Sequence, residues 1–226
     1  MSDIALGHGS KWHLLRYLGY YREAFNEAVE RQTGGRVIGW LDIPFDPSKD
    51  LFDSEWKGLD FLSDDLPARS AWREFWPQTG NVPNWDAVGW LWNGAQADLL
   101  LVEAKAHVGE IRSCCGAKEQ GGLGQIRSAL QQAKAAFGVE GEPNWLEPYY
   151  QYCNRLATLH FLGTHGVSAR LVFIYFVGDQ NRHADCPQEE AAWHAMLQQM
   201  KTQIGLTGRS QLERRVHEVF LPVCLS

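Results

Sequence analysis

Three charged residues beside two apolar runs could carry chemistry in this chain: Asp86, Glu103 and Lys105. Side chains of a strand alternate between faces, so in Leu99-Leu100-Leu101-Val102-Glu103-Ala104-Lys105 the last two charges point the same way, about 6.6 Å apart along the backbone. Asn93-Gly94 separates this run from Trp85 to Trp92 and signals a hairpin. Opposed residues of a hairpin share a face. Any loop of even length therefore puts Asp86 on the face of Glu103, and a four-residue loop, Asn93 to Gln96, sets the two directly opposite. Directly opposed side chains lie roughly 4.5–5.5 Å apart at Cβ, within reach of one hard cation, Mg²⁺ or Mn²⁺. Two carboxylates that close repel each other unless a cation or proton intervenes. A bound ion would polarise a phosphate oxygen and acidify a coordinated water, while Lys105 would position that water or neutralise developing charge. This is the chemistry of phosphodiester hydrolysis. The plainer reading is a solvated strand end carrying Glu103 and Lys105, with Asp86 a strand-start residue.

The elements that must position these residues follow from periodicity. Apolar positions 14, 18, 21, 25 and 28 recur at helical steps and predict one amphipathic helix from Leu14 to Val29, ended by Gly34-Gly35. Arg36 to Phe45 reads as a strand, and residues 46 to 81, rich in Asp, Pro, Ser and Trp, as an irregular insertion. Further helices are expected from Leu123 to Phe137, from about Trp145 to Leu162, and around Trp193 to Ile204. Ala169 to Val177 suits a strand buried on both faces, and a short strand is expected near Val216 to Val223. The order of elements predicts a single α/β domain over 1–226 with a mixed central β-sheet flanked by helices.

At these residues the sequence resembles the PD-(D/E)xK nuclease superfamily, with Asp86 as the motif aspartate and Glu103-Ala104-Lys105 as the (D/E)xK element. The nearest proline, Pro83, stands three positions before Asp86 instead of adjacent to it. The resemblance implies a restriction endonuclease-like core over much of residues 14 to 178 and a metal-dependent nuclease acting on DNA. In it Asp86 and Glu103 bind Mg²⁺ or Mn²⁺ and Lys105 is the catalytic cation. It also implies a further acid from the first helix. Glu23 and Glu30 project opposite the apolar stripe, so Glu27, nearer the flank, is the choice. A solvated acidic face is the plainer alternative. Two other readings use the same residues: a catalytically silent nuclease fold that binds nucleic acid or protein, and a hydrolase of small phosphoesters.

Gln151, Asn154, Arg155 and Thr158 share one face of the third helix at steps of three and four. They could touch substrate phosphates or orient Lys105, with Arg155 suited to a phosphate oxygen, or they could form a buried polar network that docks the helix. Arg112, Lys118, Arg127 and Lys134 could line a nucleic-acid cleft or be plain surface charges, and Trp56, Trp72 and Trp76 in the 46–81 insertion could supply recognition contacts, although packing in the core is the plainer reading for most of the tryptophans. Glu110 could add a ligand or serve as a plain loop carboxylate. Cys114-Cys115 and His183-x-x-Cys186 are poorly spaced for zinc, and no phosphate loop is present.

Composition sets the outer bounds. A net charge of -6 does not suggest a surface coated in positive charge, and leaves a local nucleic-acid cleft open. Five irregularly spaced cysteines do not form a disulfide framework. No apolar run approaches the ~18 residues of a membrane span. The first residues lack a basic stretch followed by an apolar core, so secretion through a signal peptide is not expected and a cytoplasmic setting is. A homodimer is neither required nor excluded.

Overall fold

A computed structural model describes residues 7–41, 55–80, 82–181 and 183–223. The chain runs α1 (Ser10–Gly19), α2 (Arg22–Thr33), β1 (Arg36–Trp40), β2 (Trp56–Lys57), α3 (Pro67–Phe75), β3 (Asn84–Trp85), β4 (Ala87–Trp92) and β5 (Ala97–Lys105). It continues through α4 (Leu123–Phe137), α5 (Tyr150–Thr164), β6 (Ala169–Val177), α6 (Glu190–Gln203) and β7 (Val216–Pro222). The result is an α/β fold around a mixed five-stranded sheet of order β1-β4-β5-β6-β7. The first two pairings are antiparallel and the last two parallel. No helix among the described residues is long and apolar enough to cross a membrane.

Alternation along the central strands builds two cores at once. Leu99, Leu101, Phe173 and Tyr175 face α3, α4, α5 and α6, whereas Leu100, Val102, Val172 and Ile174 face α1 and α2. Each fully buried Leu or Val in these layers contributes roughly 1.5–3 kcal/mol. Between β4 and β5 the backbone N–H of Asn93 donates to Gln96 O (3.1 Å), closing a four-residue loop in which Gly94 has φ +96°. That loop pairs Leu91 with Asp98 and Ala87 with Val102. A one-residue slip would turn every core side chain of β4 to the wrong face.

Several expectations need correction. The single helix from Leu14 to Val29 is two helices. The N–H groups of Tyr20 and Tyr21 both donate to Arg16 O, closing α1 at Gly19, and α2 starts at Arg22. The break preserves the three- and four-residue spacing, so periodicity alone does not reveal it. The strand expected to reach Phe45 is described to Trp40, with Asp42 to Phe45 outside the described residues. Residues 46–54 and 81 of the expected insertion also lie outside them, and the remainder is ordered as β2, α3 and the pairing of β2 with β3. Trp72 and Trp76 are stacked 6.0 Å apart and are 1% and 0% exposed, so they fill the core and cannot stack on bases. The third helix begins at Tyr150, not near Trp145. The stretch before it is engaged elsewhere: Ser113 N donates to Pro148 O and Trp145 Nε1 donates to Ile204 O (2.8 Å).

Candidate active site

Asp86 sits one residue before β4, where the strand bends and regular pairing gives way to a side-chain bond. Its N–H donates to Val102 O (3.0 Å), and its Oδ2 accepts the Ala104 N–H (2.7 Å). The carboxylate has taken over an amide that an ideal ladder would pair with backbone. The expectation of Asp86 directly opposite Glu103 is thereby modified: Asp86 is fixed against β5 beside Glu103 by its backbone and its side chain. Oδ1 has no hydrogen-bond partner among the described residues.

Glu103 is 4% exposed, on the β5 face that looks toward α5. Its Oε2 accepts from Arg155 Nε (2.9 Å) and Nη2 (2.7 Å), and its Oε1 accepts from Lys105 Nζ. Lys105 Nζ also donates to Gln151 Oε1 (2.9 Å). Gln151 and Arg155 are one helical turn apart, so one face of α5 serves both charges of the strand. The Gln151 backbone N–H is itself held by Ser113 Oγ (2.7 Å). Arg155 completes its bonding with Asn84 O and with Asn154 Oδ1 (2.7 Å), and its guanidinium lies 4.8 Å from the Trp85 ring centroid. Asn154, Arg155 and Thr158 are all buried, so this stripe is a docking network that reaches into the site.

The electrostatics divide unevenly. Burial, with the Glu103 charge beside it, pushes the Asp86 carboxyl up to about 7, against a partial pull from Lys105 and the Ala104 amide. Burial pushes Glu103 up as well, but Arg155 and Lys105 together outweigh it and leave it below the ordinary carboxylate value. Burial lowers Lys105, and the Glu103 and Asp86 charges overcome it, leaving the ammonium above its ordinary value.

Asn84, Asp86, Glu103, Lys105, Gln151 and Arg155 line one cavity of about 280 Å³, with residues 8–12 completing its wall. That N-terminal segment carries no motif. It is held by Asp179, a buried residue that accepts from Gly9 N (2.7 Å) and is hydrogen-bonded to His13 Nε2 (3.0 Å). Glu110 also lines the cavity, but its carboxylate is engaged by Ser10 Oγ (2.8 Å) and by the Ala106 and His107 amides, which favours the loop-carboxylate reading. Glu27 is not brought to the site. It is exposed on α2, and only the start of α1, before the helix break, reaches the cavity. Arg112, Lys118, Arg127 and Lys134 do not line it either; Arg127 pairs with Glu119 and Lys134 with Glu142.

The donor set suits a hard divalent ion. Its carboxylate oxygens are Asp86 Oδ1, without a partner among the described residues, and the two of Glu103, each already bonded to a protein cation; Asn84 Oδ1 is a buried acceptor without a partner among those residues. Among those residues no group of three or more His, Cys, Asp or Glu forms a metal cluster. A Mg²⁺ site made of one or two carboxylates, water and substrate phosphate does not require one. Comparison with protein-family models, with curated proteins and with solved structures finds no match to this chain.

Proposed function

We propose that the protein is a divalent-cation-dependent nuclease of PD-(D/E)xK type that hydrolyses phosphodiester bonds in DNA, on a restriction endonuclease-like core. The observation that carries this reading is the pairing of Asp86, raised to about 7, with Glu103 on one wall of a cavity that also presents Lys105. Asp86 and Glu103 would hold Mg²⁺ or Mn²⁺. When bound, such an ion supplies Lewis acidity toward a phosphate oxygen and a more acidic water. Lys105, held by Gln151, presents its ammonium to charge developing on the phosphate. Arg155 and Trp85 keep the strand carrying Glu103 and the turn carrying Asp86 at a fixed spacing.

A second reading, a silent nuclease fold that binds nucleic acid, is favoured by one feature: both Glu103 oxygens are already engaged by protein cations. Cleavage of mixed DNA and RNA substrates with Mn²⁺ separates the two. Asp86→Ala and Lys105→Ala are each expected to lower the cleavage rate by at least about 100-fold. Activity surviving both changes overturns the site. A parent that binds DNA and never cuts establishes the second reading, and turnover of small phosphodiesters alone points to a small-molecule hydrolase.

A further inference from the structure

Arg155 is a costly residue to place where a divalent cation is to bind. It is 3% exposed, and both of its bonds to Glu103 fall on the same oxygen, Oε2. The other oxygen of Glu103 is taken by Lys105. The two carboxylates that would hold the ion, Asp86 and Glu103, are thus faced by two cations, Lys105 and Arg155, a formal sum of zero for these four groups. Two further carboxylates, the exposed Glu55 and Glu110, line the same cavity, and Glu110 is committed to Ser10 and two amides. Affinity for a hard divalent ion rises with the negative charge of its ligands, and Mg²⁺ gives up its water reluctantly. Two ligand carboxylates matched by two neighbouring cations therefore make a weak cation site on their own.

A phosphodiester supplies what is missing. It brings a negative charge and oxygen ligands into the cavity, and it gives Lys105 an alternative acceptor to Glu103 Oε1. Arg155 has no such exchange open to it. Its remaining donors are fixed to Asn84 O and Asn154 Oδ1, and its plane is packed near Trp85. Lys105 is the exchangeable partner of Glu103 and Arg155 the permanent one. We propose that Arg155 is a positioning residue that makes divalent-cation binding depend on nucleic-acid phosphate, so that the two bind as a coupled pair. This rests on the metal-dependent reading given above. Coupling of this kind is reciprocal: whatever factor phosphate adds to cation affinity, the cation adds to phosphate affinity.

The test is Mn²⁺ binding to the full chain, followed by loss of the free-ion paramagnetic resonance signal. It is run with and without a nuclease-resistant phosphorothioate 12-mer, after subtracting Mn²⁺ bound by the oligonucleotide alone. For the parent we expect affinity to rise at least tenfold when the oligonucleotide is present. Arg155→Gln is expected to bind Mn²⁺ about tenfold more tightly than the parent without oligonucleotide and to lose most of the coupling. Arg155→Lys, which keeps the charge, is expected to retain the coupling. An Arg155→Gln variant that folds, as judged by circular dichroism, and binds Mn²⁺ no better than the parent overturns the proposal. If that variant does not fold, the parent decides alone, because equal affinity with and without oligonucleotide also overturns it. Parent protein that binds Mn²⁺ in neither condition instead removes the metal-dependent reading itself.

Discussion

Strand β5 carries a buried acid near each end, and the protein treats them in opposite ways. Near the start, Asp98 is fully buried and accepts from Arg170 Nε (2.7 Å), Ser168 Oγ (2.6 Å) and Asn93 Nδ2 (2.9 Å), with Arg215 at 3.8 Å. Burial pushes its carboxyl up, and these partners overcome that and hold it below the ordinary value. Near the other end Glu103 has an arginine of its own, yet a second carboxylate, Asp86, stands beside it and is left partly unpartnered and raised to about 7. The first arrangement is electrostatically closed and ties β5 to β6. The second retains a conflict at the wall of a cavity. An unresolved pair of like charges costs stability in the free protein, and such costs cluster where a ligand relieves them.

The largest expected effect is on the closed end. Asp98→Ala leaves Arg170 partly buried without its anion and should cost about 3–5 kcal/mol in urea unfolding. At the open end the sign reverses. Between the ordinary carboxylate value of 3.8 and about 7, folded protein holds a proton on Asp86 that the unfolded chain has released. That proton favours folding at low pH, and its contribution is lost as pH rises toward 7, above which the full cost of the charge is present. Asp86→Asn should therefore stabilise the metal-free protein, with a gain that grows from pH 4 to pH 8. Three pH units correspond to at most about 4 kcal/mol, and water in the cavity reduces this to roughly 2 kcal/mol. Thermal melts of the two proteins across that range check it. An Asn variant less stable than the parent at pH 8 would erase the contrast with Asp98.

What could be read from the sequence follows the same divide between local and distant causes. The period of a strand and an Asn-Gly loop are local, so Glu103, Lys105 and Asp86 were placed on one face from spacing alone, and the register of Leu91 with Asp98 has the four-residue loop that this spacing suggested. The bend at Asp86 was not readable, because it comes from a side chain competing with the ladder for the Ala104 amide. Helical spacing marks Gln151 and Arg155 as one polar face but does not choose between groups that touch substrate or orient Lys105 and a buried network that docks the helix. The partner that decides it, Glu103, lies 52 residues before Arg155. Asp179 gave no signal at all, since the amide it holds is 170 residues away at Gly9. Trp72 and Trp76 fill the core, the plainer of their two readings, and spacing alone does not select it because the Asp, Pro and Ser residues around them obscure the period of α3. Nor did sequence distinguish Asp98 from Asp86: each is an aspartate beside an apolar run, and only their neighbours in space set them apart.

The smallest effects sharpen the comparison most, because they leave the fold intact at both ends. Ser168→Ala removes one of several donors to Asp98 and should cost about 1–2 kcal/mol of stability while leaving the proposed cleavage unchanged. Gln151→Ala removes the acceptor that holds Lys105 opposite Glu103, while Ser113 Oγ can still hold the backbone at 151. Stability should move by under about 1 kcal/mol, because the lost bond lies at the wall of an open cavity and Lys105 keeps its ion pair. The rate of bond cleavage measured in a single turnover should fall roughly tenfold, the usual scale for a group that orients a reacting residue. Equal effects of the two substitutions on both measurements would mean that the ends of β5 form one network. The division into a closed structural cluster and an open one at the proposed active site would then fail.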